Sequence, residues 1–275
     1  MKLQYTASSG NNYDLNVDRL RTREANYHEW EWIFNGTELQ YGMRVSDIAK
    51  KPAEYVTTLT FSGSHDQRNT LIENLHEDFE LDIRHQTPGR ITWGKYYIDC
   101  YIKSSSTAPD ENLLWTDNKL TILCPYPFWI KETTRQFYPK SVPAGQVFLD
   151  YEYDYDYDFY YGNPGTAIWH RDFPFASKFA LTIYGPVADP RVLINGYPYQ
   201  INDTLGQVEY AVIDSRFNTI VKHDANGQPV NIFDLRDKQK SVFEPIPAGP
   251  LRVLWSGAFG FDITLFEERS EPRDE

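Results

Sequence analysis

Three sets of side chains in this sequence have types that chemistry could use. The six histidines are His28, His65, His76, His85, His170 and His223. None stands in an HExxH pattern or in another metal-ligand spacing. His76 neighbours Glu77 and Asp78 on a helical stretch, but adjacent helical residues do not face one another. The sequence reading there is a solvated helix face. The second set is Cys100 and Cys124, which have no histidine nearby in sequence and no zinc-type or disulfide-framework spacing. The third is the row from Tyr151 to Phe159. Tyr151, Tyr153, Tyr155, Tyr157 and Phe159 alternate with Glu152, Asp154, Asp156 and Asp158. Such carboxylates invite calcium. Residues two apart on a strand lie about 6.5–7 Å from each other, too far to chelate one ion unaided, and the EF-hand spacing and glycine are missing. The row therefore reads as a strand with aromatics inward and carboxylates in water.

No GxSxG elbow and no GxxxxGK[ST] phosphate loop occurs. The 39 acidic residues leave open a spatially paired, glycosidase-like couple but give no positive sign of one. The expectation is a chain that is not an enzyme, with no catalytic residue, no cofactor site and no metal site. A carbohydrate-binding adhesion module is the alternative. Trp169, Trp255 and the tyrosine-rich strand could stack sugars, as aromatic platforms on β-sandwiches do. Against this, inward alternation sends aromatic strand residues to the core.

The elements that must hold these residues are mostly strands. The chain has 275 residues, room for one large domain or two ordinary ones. Aromatics supply 16%, from 20 Tyr, 16 Phe and 7 Trp, and these types favour strands. A net charge of −12 argues against nucleic-acid or anionic-membrane binding, which needs clustered cations. The opening MKLQYTASSG lacks an apolar signal region, and no run of about 18 apolar residues could span a membrane. The chain is expected to be made in a reducing cytoplasm, with both cysteines as thiols.

Period-two alternation predicts strands at Tyr27–Phe34, Glu54–Phe61, Lys95–Ser104 and Lys119–Cys124. The last two place Tyr96, Ile98, Cys100 and Ile102, and Leu120, Ile122 and Cys124, on apolar faces. Ser64 and Gln67 form a capping box, and Leu71, Leu75 and Phe79 recur at helical spacing, so one helix is predicted from Ser64 to Phe79. Pro88-Gly89 reads as a turn. Pro125, Pro127, Pro139 and Pro143 then stop any ladder, which sets a domain boundary near residue 135. The second half is a series of short strands: Lys178–Tyr184, Arg191–Asn195, Tyr197–Ile201, Val208–Ile213, Phe217–His223, Val230–Leu235, Leu251–Ser256 and Phe259–Glu267. Asn195-Gly196 marks a tight hairpin, and the charged Glu267–Glu275 end is expected to fray. The fold class is all-β with one helix in the first half: residues 1–134 as a β-sandwich-like domain, residues 135–275 as a linker strand plus a second sandwich.

The order of these pieces resembles the distal tail proteins of long-tailed bacteriophages (siphophages). The resemblance is carried by ITWGKYYIDCYIKS and TILCPYPFWIKE within Ile91–Glu132, by ANYHEWEWIF, by the helix from Ser64 and by VFLDYEYDYDYDF. In the second half it is carried by VLINGYPYQIN, FNTIVKHDANGQPVNIFD and IPAGPLRVLWSGAF. The resemblance implies a ring-forming N-terminal domain and a galectin-like C-terminal sandwich. It implies a homo-hexamer in the virion's tail tip, between the tail tube protein and the tail-tip protein. Receptor-binding or baseplate proteins would dock on the periphery, and DNA would pass through the lumen without being held. The galectin-type His-x-Asn-x-Arg and Trp-Gly-x-Glu-x-Arg runs are absent from residues 136–275, and Trp93-Gly94 lies in the other half. Galectin-like here is expected to describe shape and not sugar binding.

Overall fold

The computed structural model describes residues 2–17, 19–107, 114–140 and 165–273. The Tyr151–Phe159 row lies outside the described residues. The chain divides into two compact units, 1–131 with 268–275, and 132–267.

The first unit holds β1 (Leu3–Thr6), β2 (Asn12–Asp14), β3 (Asn16–Val17), β4 (Leu20–Ala25), β5 (Ile33–Glu38), β6 (Met43–Ala49), β7 (Ala53–Ser62), α1 (His65–Arg84), β8 (Gly89–Trp93), β9 (Tyr96–Thr107) and β10 (Trp115–Cys124). The strands pair antiparallel in the order β3-β4-β7-β10-β9-β8-β1-β2, while among the described residues β5 and β6 pair only with each other. Strand β9 serves three partners, the third being the stretch at Ile130 and Lys131, which pairs with Tyr97 and Tyr96. Gly89–Trp93 pair with Tyr96–Cys100, and the stretch beyond, from Tyr101 to Thr107, pairs with β10 across a bulge. Its inward face is the alternation read from the sequence: Tyr96, Ile98, Cys100 and Ile102 are buried, as are Leu120, Ile122 and Cys124 of β10.

Ser64 caps α1. Its hydroxyl accepts from the Gln67 amide, and the Gln67 side chain accepts from the Ser64 amide. The helix runs five residues past Phe79, to Arg84. The solvated face expected around His76 is not what forms. Asp78 and Asp82 are buried with Leu75 and Phe79, because positions 75, 78, 79 and 82 share one helical face. Asp78 accepts from Ser9 Oγ at 2.7 Å, Asn11 Nδ2 at 3.0 Å and Tyr13 Oη at 2.5 Å. Asp82 accepts from the Tyr5 hydroxyl, and from the Ser8 amide at 2.8 Å. These bonds pin the β1–β2 hairpin to the helix. His76 accepts from Asn118 Nδ2 at 2.8 Å, and burial lowers its pKa.

Three further expectations change. Tyr27–Phe34 is no strand up to Trp32, since Asn26 and Glu29 close a turn and Asn26 Oδ1 takes the Val56 amide. Tyr27 turns into the core against Tyr55, Trp93 and Trp129. The C-terminal end is held: Pro272 is buried, and Glu268 accepts a hydrogen bond from Tyr126. The turn expected at Pro88-Gly89 forms earlier, at His85-Gln86, and Gly89 already belongs to β8.

Strand β11 (Trp129–Phe137) carries the chain into the second unit. There follow β12 (Gly165–Trp169), β13 (Lys178–Tyr184), β14 (Val187–Ala188), β15 (Arg191–Ile194), β16 (Tyr197–Gln200), β17 (Thr204–Leu205), β18 (Tyr210–Asp214), β19 (Thr219–His223), β20 (Pro229–Asn231), β21 (Leu251–Trp255) and β22 (Phe261–Arg269). One sheet runs β20-β19-β18-β13-β22-β11 and the other β12-β21-β15-β16. Both give side chains to one core: Phe179, Leu181, Ile213 and Ile263 from the first, Val192, Ile194, Tyr199 and Val253 from the second. That is a sandwich. Asn195 and Gly196 both take positive φ, 49° and 81°, as a type I′ hairpin requires. The stretch Val230–Leu235 leaves its strand at Asn231. The Asn231 side chain takes the Phe233 amide, and Phe233–Leu235 form a short 3-10 turn.

Two outcomes follow from this packing. Asp78 is pushed up by burial, but the bonds from Tyr13, Ser9 and Asn11 outweigh that and hold its carboxyl below the usual range. A depressed acid stabilises above its unfolded pKa and loses that contribution as pH falls through the folded one. Asp78→Ala should therefore cost about 1–2 kcal/mol in urea unfolding at pH 7, by removing the shared acceptor of the part-buried bonds from Ser9, Asn11 and Tyr13. The gap to wild type should narrow below about pH 4; a pH-independent gap would contradict the account. In the second unit, a Cβ on Gly165 would lie 2.2 Å from the Trp255 ring. Gly165→Ala should cost about 1–3 kcal/mol, seen as a lower thermal midpoint by tryptophan fluorescence.

Candidate assembly surface

Among the described residues, those singled out for chemistry do not gather into a reaction site. Trp169 and Trp255, the proposed sugar platform, sit in the core of the second unit at 7% and 6% exposure. Phe137 packs against both, and Trp255 Nε1 donates to the Phe259 carbonyl at 3.1 Å. Cys100 and Cys124 are buried thiols. The thiol of Cys100 is pushed well up, by its hydrogen bond with Cys124 and then by burial. His76 is tied to Asn118 and Ser105 of the strands beneath it. Among the described residues, no group of three or more His, Cys, Asp or Glu is placed to hold a metal ion.

What the first unit does present is a hairpin, β5 and β6, whose residues are nearly all exposed. Its register pairs Phe34 with Ile48, Gly36 with Val45 and Glu38 with Met43. Directly opposed residues of an antiparallel pair point to the same face. Phe34, Ile48, Val45 and Met43 therefore share one face. Asn35, Asp47, Thr37 and Arg44 lie on the other, where Asn35 Nδ2 donates to Asp47 at 3.3 Å. The apolar face lies in water like the polar one: Phe34 is 54% and Ile48 53% exposed. At the tip, Tyr41 is 89% exposed beside Leu39. An amphipathic ribbon with its apolar side in water is a surface awaiting a partner.

The base of the ribbon is anchored. Trp32 meets Phe128 edge to face at 6.1 Å, and Lys50 Nζ lies 4.5 Å from the Phe128 ring centre while donating to the Pro127 carbonyl at 2.7 Å. Burial there lowers the pKa of Lys50. Halfway along, a bulge falls between Asn35 and Gly36. A Cβ at Gly36 would lie 2.1 Å from the Arg44 carbonyl oxygen, so only glycine lets the strands close at that point. The sequence reading missed this surface. The alternation predicts a strand over Tyr27–Phe34, which reaches only the first two residues of β5, and none over Met43–Ala49. The signal that could have found it is the apolar spacing of Met43, Val45 and Ile48 across a Gly42 turn from Phe34.

No family model matches the chain, and neither does any curated protein sequence. Solved structures do match. The Dit protein of phage SPP1, described as a paradigm of hub adsorption apparatus in phages infecting Gram-positive bacteria, aligns with a TM-score of 0.64 at 10% identity, over 97% of this chain and 99% of that one. A chain of the phage P2 baseplate in its activated, calcium-bound conformation aligns at 0.61 with 13% identity, over 99% and 100%. The corresponding strontium-bound baseplate aligns at 0.62 with 13% identity, over 98% and 99%. The fold of this chain, from its first strand to its last, is that of phage distal tail and baseplate hub proteins.

Proposed function

We propose that this chain is a structural protein of a phage tail, a distal tail hub that assembles as a homo-hexameric ring at the tail tip and is not an enzyme. The observation that carries this reading is the likeness to tail hub proteins along almost the whole of both chains. The number six comes from the sequence resemblance. Residues 1–134 form the ring in this reading, and residues 135–275 form the outward galectin-like sandwich. The ring joins the tail tube protein to the tail-tip protein, and receptor-binding or baseplate proteins dock around it. The chain is made in the bacterial host cytoplasm and ends in the virion.

The exposed hairpin supports this reading, because a ring needs one patch that meets a different patch on the next copy. The apolar face of Phe34, Met43, Val45 and Ile48 is our choice for the first patch. The charge is compatible with the role. At −12 per chain, a ring is not a general binder of the polyanion passing through it. At physiological salt, screening limits the repulsion to about 8 Å.

The test is native mass by light scattering. A hexamer, six times the 32.1 kDa chain, is expected; a monomer at high concentration with no ring in electron micrographs would refute the proposal. The double variant Phe34→Ser, Ile48→Ser should keep the circular dichroism of the wild type and its thermal midpoint within about 2 °C, since both side chains are exposed. It should shift the mass toward monomer. An unchanged hexamer would place the contact elsewhere.

A further inference from the structure

The sequence places Cys100 and Cys124 on the apolar faces of two strands; the fold makes them a pair. Strands β9 and β10 run antiparallel, with Ile102 opposite Ile122 and Tyr101 opposite Leu123. One step further in the same register sets Cys100 opposite Cys124. Both lie on the inward face, with no exposed surface, and the two thiols share a hydrogen bond. Directly opposed residues of an antiparallel pair have Cα atoms about 4.5 or 5.5 Å apart, and a disulfide spans about 4.4–6.8 Å. The strands need not separate or slide for the bond to form. No other cysteine exists in the chain to compete.

We infer that Cys100 and Cys124 are a disulfide-forming modification site, closed by a low-molecular-weight disulfide oxidant and stapling β9 to β10. The chemistry is ordinary exchange. One cysteine thiolate attacks the oxidant's S–S bond, giving a mixed disulfide and releasing one small thiol. The second cysteine, as thiolate, attacks the protein sulfur of that mixed disulfide. The protein S–S bond forms and a second small thiol leaves. Two thiol protons pass to the two leaving groups, and two electrons reduce the oxidant. The reaction is slow for a physical reason. Both sulfurs are buried in an apolar face where the thiolate is disfavoured, so the first attack waits on local opening of the strands. A reducing cytoplasm keeps the pair open, and an oxidising medium lets it close. The hub reading bears only on when that change of medium happens. The pairing rests on register and burial.

The test uses the full chain, freed of reductant and incubated for days with oxidised glutathione. It is then unfolded, treated with iodoacetamide and weighed intact. The expected product is two hydrogens lighter than the thiol form, carries no alkyl group and runs as a monomer on a non-reducing gel. Its thermal midpoint should rise by about 5 °C or more, because the bridge closes a loop of 25 residues, Cys100 to Cys124. Cys124→Ala should keep its fold and show one alkylated Cys100 under the same treatment. Two alkylated cysteines after exposure, or a stable glutathione adduct, or a covalent dimer, would overturn the inference. So would a bridged chain whose midpoint falls, since strain would then outweigh the staple. None of these readings depends on whether the chain forms a ring.

Discussion

An apolar face held in water sets the terms for the first unit. Isolated two-stranded ribbons are marginal in water, and this one has both edges open. Its own contacts are few: the ladder of β5 with β6, the Asn35–Asp47 bond and the bulge at Gly36. What keeps it extended is the base, where Trp32, Lys50 and Phe128 tie its two ends to the body of the unit. That body must be rigid for the arm to be aimed. The rigidity comes from β9, which pairs with β8 along its first half and β10 along its second, and from the helix locked over the first hairpin by Asp78 and Asp82.

The second unit solves a different problem. Two sheets bury one shared core, with Trp169, Trp255, Phe137 and Phe261 packed at one end. Trp169 and Trp255, which looked able to hold a sugar, are spent on that packing. Gly165 shows how tight it is, since the indole of Trp255 occupies the space a side chain would need. The unit buries its apolar side chains in a way that the hairpin of the first unit does not.

The sequence made legible whatever repeats at short range. The period-two faces of Tyr96–Ile102 and Leu120–Cys124, the Ser64–Gln67 capping box and the Asn195-Gly196 hairpin all stand where local pattern put them. Local pattern failed where a distant partner decided. Tyr27–Trp32 alternates well enough for a strand, but Asn26 is claimed by Val56, thirty residues on, and the chain turns. Asp78 and Asp82 look like solvated charges until Tyr5, Ser9, Asn11 and Tyr13 arrive from sequence positions more than sixty residues away. Their helical phase with Leu75 and Phe79 was visible. That they had donors to meet was not.

The pairing of the two cysteines shows the same limit from the other side. Each strand alone announces its cysteine as an inward residue. Only the register between β9 and β10 makes them neighbours, and register is a property of two strands together. The candidate assembly surface is also of this kind. Phe34 and Ile48 are fourteen residues apart, and only Phe34 falls in a strand that the alternation predicts. Paired, they become one face, and that face lies in water. A chain with no catalytic motif can therefore still declare a role, through apolar area that its own fold leaves uncovered. A second surface of matching chemistry is the physical complement such a face requires.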